Sequence, residues 1–495
     1  MTSEMGLPEE TLDPSDWGEL RALGHRMVDD MFAYLETVRE RPVWQPIPDD
    51  VAGSFRAPLP QGEQPAETVY EEFQRNILPY PLGNIHPRFW GWVMGNGTPL
   101  AMLSEMLAAG MNPNMGGGDH VANRVEMQVI EWLKEMLGYS AEASGLLVSG
   151  GSMANLLGLA VARNHRCGFD VRNEGVGASP QPMTMYGSSE MHSSLQRASE
   201  VLGLGNSALR RIPVRDDYKI DVAALLRAIK EDVEAGYKPI CLIGNAGTVN
   251  TGAMDPLSEL ADIAEEHGMW FHVDGAFGAL AYLSPDLRHM VQGLERADSV
   301  AFDLHKWLYL PFEAGCVLVH DREAHKRTFA LVPDYLKHGD RGTASGPMWF
   351  SEYGLQLTRG FRALKVWMAL KTYGAQKMGR LIRQNVMQAA YLGRLVEESP
   401  QLELLAPIEL NVVCFRFVLP GLDDAKLNAL NEELLIRLQE AGLAVPSGTL
   451  LRGRYAIRCA ITNHRSRQED FDALVADVVR IGEDLVAEEW GADRI

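Results

Sequence analysis

Short apolar runs alternate with amphipathic segments from about residue 90 to residue 375, and this alternation constrains the fold more than any other feature. The run "KPICLIGNAGT" is typical of a buried strand, whereas "DPLSELADIAEEHG" predicts a helix with Asp255 as its N-cap and Gly268 as its stop. The runs "MWFHVDGAFGAL" and "DSVAFDLHKW" contain two further candidate strands. Strands separated by helices predict an α/β fold, in which helices cover a mostly parallel central sheet and ligands bind at the carboxyl ends of the strands.

The two ends of the chain follow different patterns. A helical pattern begins near Ser15 or Asp16 and stops by Pro42, and a connector rich in proline and glycine follows it. We expect this N-terminal helical segment to wrap over another part of the assembly. After residue 375 the order strand, helix, strand predicts a small C-terminal α+β domain. The predicted divisions are therefore an N-terminal segment (1–90), a large α/β domain (91–375) and a small domain (376–495).

Composition limits the partners and the compartment. The formal net charge of −20 argues against nucleic acid and against an anionic membrane surface. The acidic N-terminus lacks the pattern of a secretory signal, and no apolar stretch is long enough to predict a membrane span. The five cysteines are scattered and form no CxxC pair, which predicts reduced thiols in the cytoplasm and no metal site.

Four groups of residues near predicted strand ends suggest a cofactor. No nucleotide-binding glycine motif, HExxH or GxSxG is present. Gly151 and Ser152 begin a predicted helix, whose N-terminus can bind a phosphate. Asp274, His192 and Lys306 each follow an apolar or polar run that ends near the same sheet edge. Each alone has an ordinary structural explanation, such as a helix start, a cap, a packed histidine or a solvated lysine.

Together these residues match the needs of pyridoxal 5'-phosphate (PLP). This cofactor requires a lysine that forms a Schiff base, a phosphate site, a carboxylate at the pyridine nitrogen and a flat group against the ring. Lys306, the turn at Gly151 and Ser152, Asp274 and His192 would supply these in turn. The sequence therefore predicts a PLP site at the carboxyl edge of the sheet.

Several longer motifs resemble those of the group II PLP-dependent amino-acid decarboxylases, the family of the aromatic-L-amino-acid, histidine and glutamate decarboxylases. The matching stretches run from about residue 20 to 475 and are "HPRFWGW", "SGGSMAN", "EMHSS", "HVDGAFG", "DLHKWL", "PDYLKH", "LTRGFRALKVW" and "NVVCFRF". The resemblance implies an aminotransferase-like fold (fold type I) and a homodimer with the active site at the subunit interface. Further cofactor-binding residues that it implies are Ala276 under the ring and, nearby, Thr248 and His305.

The resemblance also bears on the type of reaction. "LVPDYLKHGDRGTASGP" is similar to the family's mobile catalytic loop, and Tyr335 falls where decarboxylases carry the tyrosine that protonates the substrate carbon. Relatives that form aldehydes oxidatively tend to have phenylalanine there, so Tyr335 favours decarboxylation of an L-amino acid to an amine and carbon dioxide. Oxidative decarboxylation to an aldehyde and transamination remain alternatives. A non-catalytic regulatory protein is disfavoured because no DNA-recognition element is attached.

The substrate is the least determined feature. Trp90 and Trp92 lie where the resemblance puts the aromatic residues of the substrate pocket, which favours an aromatic or bulky apolar amino acid. Tryptophan pairs also occur as plain core. An acidic substrate such as glutamate would need a cation at the far end of the pocket, for which Arg88 and Arg124 are the candidates.

Overall fold

The computed structural model describes residues 10–331 and 338–490. A seven-stranded sheet forms its centre, with strands that are buried along almost their whole length. The strands are β1 (Ser144–Val148), β2 (Met183–Ser188), β3 (Leu209–Ile212), β4 (Lys238–Asn245), β5 (Trp270–Asp274), β6 (Ser299–Asp303) and β7 (Gly315–Val319). Their order is β1-β7-β6-β5-β4-β2-β3. Only β7 runs antiparallel to its neighbours, so the prediction of a mostly parallel sheet is confirmed.

Helices and a second, smaller sheet complete the chain. The smaller sheet contains β8 (Leu402–Leu404), β9 (Val412–Phe417), β10 (Ser447–Leu451) and β11 (Arg454–Ala460) in the order β10-β11-β9-β8. The α-helices are α1 (Trp17–Glu36), α2 (Asp49–Ser54), α3 (Ala66–Glu72), α4 (Pro99–Met111), α5 (Val121–Met136), α6 (Gly151–Arg166), α7 (Val171–Glu174), α8 (Ser193–Val201), α9 (Val222–Glu234), α10 (Leu257–Glu266), α11 (Leu304–Trp307), α12 (Arg322–Phe329), α13 (Ala363–Glu398), α14 (Asp424–Glu440) and α15 (Gln468–Trp490). Of the helices in the described ranges, none is both long and apolar enough to cross a bilayer.

Two hydrophobic cores are joined by α13. The larger core surrounds the seven-stranded sheet, where α6 packs across β4 to β7, and the smaller core lies among α14, α15, β9 and β11. The first half of α13 packs in the larger core and its second half in the smaller one, with a break at Gly374, whose φ is 72°. The division at residue 375 stays a prediction, although the break lies beside it.

The helix caps show where local sequence patterns hold and where they fail. The side chain of Asp16 accepts hydrogen bonds from the backbone at Gly18 and Glu19, as predicted for the cap of α1. Asp255 does not cap α10, so that prediction was wrong. Its buried carboxylate accepts hydrogen bonds from the backbone N–H groups of Ile220 and Asn245, at 2.9 Å each. Asp255 therefore joins the end of β4 to the segment before α9 at the sheet edge.

Candidate active site

A cavity of about 380 Å³ lies where the carboxyl ends of the central strands meet the smaller sheet. Strands β4, β5 and β6 bring polar side chains to this edge because parallel strands end on the same side of a sheet. Residues 92–94 and the strands β10 and β11 close the opposite side. Side chains from both sheets therefore face one space.

Lys306 enters the cavity from the short helix α11, directly after β6. Its Nζ lies 3.0 Å from Oδ2 of Asp303, the last residue of β6, and its side chain is 21% exposed. The backbone turns immediately after the buried strand, and this turn directs the lysine towards the cavity. The amine thus remains reachable while a buried carboxylate compensates its charge.

Asp274 ends β5 and reaches the same cavity. Its side chain is buried, and its two oxygens accept hydrogen bonds from Asn155 Nδ2 (2.9 Å) and from the backbone N–H of Ala276 (3.1 Å). Both contacts come from N–H donors, which hold the carboxyl group in one orientation. Ala276 also lines the cavity, so a ring held against Asp274 could pass over a small side chain.

His192 lies at the N-cap of α8 and lines the cavity. Its Nδ1 accepts the backbone N–H of Ser194 at 3.1 Å, so a neutral ring carries its proton on Nε2. Partial burial lowers the pKa of His192, and the charge of Lys306 acts in the same direction, whereas Asp274 opposes them. The imidazole is therefore a flat, neutral group at neutral pH.

The glycine turn before α6 lies beside this group. A Cβ atom on Gly151 would come within 3.0 Å of Asp303 Oδ2 and 3.4 Å of Ala276 Cβ, so a side chain here would be tightly packed. The first N–H groups of α6, at Gly151 and Ser152, have no intrahelical acceptor. They form a suitable cradle for a phosphate, and Ser152 is exposed.

The side chains of His305 and Thr248 form hydrogen bonds with nearby backbone groups. His305 is 7% exposed, its Nδ1 accepts the backbone N–H of Ala314 at 3.1 Å, and burial lowers its pKa. Thr248 is fully buried, and its hydroxyl accepts the backbone N–H of Ala253 at 3.0 Å. Both lie close to the cavity in sequence, but neither is among the residues that line it.

The two tryptophans are separated by the fold. Trp92 lines the cavity and is 52% exposed. Trp90 is completely buried in the smaller core, where it stacks on Phe471 with ring centroids 5.0 Å apart and donates a hydrogen bond to Ser466 Oγ. The assignment of Trp90 to the substrate pocket was therefore wrong, because its indole is packed inside the smaller core.

The two candidate cations for an acidic substrate are engaged elsewhere. Arg88 donates to the buried carboxylate of Asp470 at 3.0 Å, and Arg124 lies 3.6 Å from Asp119 on the surface. Neither lines the cavity. Arg458 of β11 does, and the sequence analysis missed it because nothing in its local sequence distinguishes it from other strand arginines.

Arg458 is a buried cation that lacks a carboxylate partner in the described ranges. Its guanidinium donates to the backbone carbonyls of Trp92, Val249 and Asn250 and to Ser447 Oγ, at 2.7 to 3.3 Å. These four hydrogen bonds use four of its five N–H donors. The side chain is 5% exposed, and burial lowers its pKa. One N–H of Nη2 therefore has no partner among these contacts, and Arg458 lines the cavity.

Tyr335 lies outside the described residues. In residues 10–331 and 338–490, no cluster of histidine, cysteine, aspartate or glutamate side chains has the arrangement of a metal site.

Comparisons with known proteins agree on one family. The family model for the pyridoxal-dependent decarboxylase conserved domain matches residues 48–418. An aromatic-L-amino-acid decarboxylase of Bacillus atrophaeus is 34% identical over 94% of this chain and 96% of its own length. A phenylacetaldehyde synthase of Arabidopsis thaliana is 30% identical over 91% of this chain and 93% of its own.

A solved structure extends this agreement to the fold. The crystal structure of Oryza sativa TDC with PLP and tryptamine superposes with a TM-score of 0.88 at 26% identity and covers 96% of this chain and 100% of its own. This match confirms the predicted fold type I architecture, and the cofactor of the family is PLP. The chain belongs to the pyridoxal-dependent decarboxylase family and is a PLP-dependent carboxy-lyase.

Proposed function

We propose that this enzyme removes the α-carboxylate of an aromatic L-amino acid and releases the amine and carbon dioxide. The observation that carries the proposal is the meeting of Lys306, Asp274 and His192 in one cavity beside a glycine turn. These residue types match the aldehyde, the pyridine nitrogen, the ring face and the phosphate of PLP, respectively.

Each side chain has one task in this proposal. Bound PLP supplies an electron sink for the electron pair that remains when carbon dioxide leaves. Lys306 offers the amine that would anchor the cofactor aldehyde, and Asp274 would accept a hydrogen bond from the ring nitrogen. His192 and Ala276 would flank the ring. The N–H groups of Gly151 and Ser152 at the N-terminus of α6 would hold the phosphate, and His305 and Thr248 would support the surrounding loops.

Arg458 is the group that we assign to the substrate carboxylate. Its charge is not balanced by a carboxylate in the described ranges, and one of its N–H donors remains available. A substrate carboxylate would balance the charge of Arg458 and accept a hydrogen bond from this N–H group. This contact would orient the amino acid before carbon dioxide leaves and would be lost with the product.

An aromatic side chain suits the rest of the cavity. Trp92, Val93, Met94 and Phe277 contribute apolar surface. An acidic amino acid would need a second cation besides Arg458, and Arg88 and Arg124 are paired elsewhere. The names of the relatives given above point to the same substrate class.

An amine-release screen tests this proposal directly. The holoenzyme is incubated with the twenty L-amino acids, 3,4-dihydroxyphenylalanine and 5-hydroxytryptophan, and amine and carbon dioxide are measured together. We expect equal amounts of both products from at least one aromatic amino acid. Release from glutamate or aspartate alone would overturn the substrate class but not the reaction.

Oxidative decarboxylation to an aldehyde is the second candidate, because a phenylacetaldehyde synthase is among the relatives. We propose that Tyr335 returns the proton to the substrate carbon. With dissolved dioxygen as the oxidant, Tyr335→Phe should then keep PLP bound, lose amine formation and produce aldehyde, carbon dioxide, ammonia and hydrogen peroxide. Unchanged amine output from Tyr335→Phe would remove Tyr335 from this role.

We also propose a homodimer with the active site at the subunit interface, with the N-terminal segment wrapping the partner. Support comes from apolar side chains that α1 and α4 leave exposed, among them Trp17 (60%), Met106 (55%) and Met111 (57%). Light scattering should give about twice the 54.8 kDa of one chain. A monomer that is fully active would contradict this assembly.

A cytoplasmic location completes the proposal. All five cysteines are free and buried, a pattern expected where thiols stay reduced. Fractionation of the source cells, with activity assayed in each fraction, would test it.

A further inference from the structure

A chain of buried hydrogen bonds lies beneath the cavity, and the proposed function does not use it. We propose that Asn155, whose amide is oriented by His272, is a positioning residue that holds Asp274 and His192 in register with each other. This inference rests on the proposed PLP site. It assigns a role to residues that touch neither cofactor nor substrate.

Asn155 lies at the centre of these contacts. Its Nδ2 lies 2.9 Å from Asp274 Oδ2 and 3.0 Å from Ser194 Oγ, while its Oδ1 lies 2.9 Å from His272 Nε2. Asn155 and Ser194 are no more than 2% exposed, and His272 is fully buried. Both N–H donors and the carbonyl oxygen of the Asn155 side chain therefore have a protein partner.

The direction of each hydrogen bond is determined by the chemistry of the partners. The Asp274 carboxylate can only accept, so the amide nitrogen of Asn155 must face it. The carbonyl of Asn155 then accepts from His272, which places the proton of the imidazole on Nε2. His272 Nδ1 accepts from Ser299 Oγ at 2.8 Å, and that oxygen accepts the indole N–H of Trp270 at 2.8 Å.

A second branch leads from the same amide to His192. Because Ser194 Oγ accepts from Asn155, its own hydrogen is free to point to His192 Nδ1, 2.8 Å away. That contact adds to the backbone N–H of Ser194 on the same nitrogen. One asparagine thus orients the partner of the ring nitrogen and also fixes the tautomer of the ring-stacking histidine.

The surroundings of His272 reserve space for this arrangement. A Cβ atom on Gly158 of α6 would lie 2.7 Å from His272 Cε1, so a larger residue would displace the ring. Complete burial lowers the pKa of His272 to about 3, which keeps the imidazole neutral. Neutral His272 can donate from Nε2 and accept at Nδ1, as both contacts require.

The alternative is that this cluster only stabilises the fold, and cofactor binding separates the two roles. Asn155→Leu, Asn155→Ser, His272→Leu and His272→Gln are purified as holoenzymes. PLP affinity is then measured by titration after cofactor removal, and the absorbance of bound PLP is followed against pH. Asn431→Leu is the matched control, since the hydrogen bonds of buried Asn431 within the described residues go to the backbone of Phe417 and Leu427, beside the smaller sheet.

The expected pattern differs between variants. Asn155→Leu and Asn155→Ser should weaken PLP binding on the order of tenfold or more, the usual effect of losing a hydrogen bond to a charged group, and should shift the pH midpoint of the absorbance. His272→Leu should act in the same direction. His272→Gln keeps a donor near Nε2 and should restore affinity to within about threefold. Asn431→Leu should lower thermal stability and leave the midpoint unchanged.

The inference and the proposed function fail in different ways. Wild-type protein that neither binds PLP nor releases amine would contradict the proposed function. Wild-type protein that does both, with folded Asn155 variants of unchanged PLP affinity and unchanged pH midpoint, would overturn the role of Asn155. If Asn155→Leu does not fold, the smaller Asn155→Ser and the pair of His272 variants decide.

Discussion

Two pairs of cations have opposite roles in this molecule. Lys134 and Arg359 are buried away from the cavity, whereas Lys306 and Arg458 face it. Lys134 is 2% exposed, and its Nζ donates to the carbonyls of Ala141 (2.6 Å) and Ala143 (3.0 Å) and pairs with Glu131 (2.7 Å). All three of its donors are used.

Lys306 is more exposed than Lys134 but less satisfied. Its ammonium pairs with Asp303, and two of its three donors have no partner in the part of the chain that the structure describes. The arginines differ in the charge of their partners. The buried carboxylate of Glu126 neutralises Arg359, with Nη1 3.2 Å from Oε2, whereas the partners of Arg458 among the described residues are carbonyl and hydroxyl oxygens. Free donors on the lysine and an unbalanced charge on the arginine, each beside a cavity, therefore distinguish the cations that serve a ligand.

Substitution of the two lysines should give the largest contrast. Lys306→Ala should lower amine release on the order of a thousandfold or more, because Lys306 is the one lysine among the described residues that line the cavity. Lys134→Met should leave turnover per folded molecule unchanged and lower the free energy of unfolding by about 2 kcal/mol, since two carbonyls lose a donor. Amine release and urea unfolding are measured on both variants.

Two outcomes of this experiment would contradict the roles assigned to the lysines. Wild-type turnover in Lys306→Ala would remove Lys306 from the cofactor site. Loss of turnover in a folded Lys134→Met protein would mean that an interior cation also supports catalysis.

The two arginines should give a smaller contrast. Arg458→Gln should reduce kcat/KM about a hundredfold, because a charge-assisted hydrogen bond to the substrate carboxylate is worth about 1.5–3 kcal/mol. Arg359→Gln leaves Glu126 buried and unpaired, so the free energy of unfolding should fall by about 3–5 kcal/mol while kcat/KM of the folded fraction is retained. Steady-state kinetics with the best aromatic substrate and urea unfolding measure these effects.

Arg458→Lys sharpens the assignment. The shorter, single-headed lysine keeps the charge but not the fork of donors, so its kcat/KM should fall between those of wild type and Arg458→Gln. Equal kcat/KM for wild type and a folded Arg458→Gln would show that the guanidinium only ties Trp92 to the smaller sheet.

The sequence predicted the residues that lie at strand ends and missed those that depend on distant contacts. Lys306 and Asp274 follow apolar runs, so their meeting at one sheet edge follows from parallel topology. Arg458 reaches the cavity through contacts with residues as far as 366 positions away, and no local pattern encodes them. Asn155 lies inside a quoted motif, yet its role depends on His272 and Ser194, which belong to other elements.

Trp90 and Trp92 show a different limit. The resemblance placed both in the substrate pocket, and residues two apart in an extended segment would point to the same side. The backbone of Trp92 has a φ of 52°, which breaks the alternation and sends the two indoles into different surroundings. A positive φ at a bulky residue is uncommon, and the sequence contains no signal for it.

The histidines extend the comparison to pH and give the smallest expected effect. Interior His325 is fully buried, its Nδ1 lies 2.8 Å from Ser144 Oγ, and burial lowers its pKa from 6.5 to about 4. In the unfolded chain the imidazole of His325 becomes protonated below about pH 6.5, whereas in the folded chain it stays neutral until about pH 4. The free energy of unfolding should therefore fall as the pH drops through this window, by up to about 1.4 kcal/mol per pH unit for this histidine.

Buried His86 and partly buried His464 have pKa values lowered to about 4 by desolvation, so the wild-type dependence should be steeper than one histidine gives. His325→Gln removes the contribution of His325 to this pH dependence. Urea unfolding at several pH values between 7 and 4.5 should show a shallower loss of stability for His325→Gln than for wild type, although its stability at pH 7 is lower. Parallel curves for the two proteins would mean that folded His325 accepts a proton, and the interior would then tolerate a charge without the partners that Lys134 and Arg359 require.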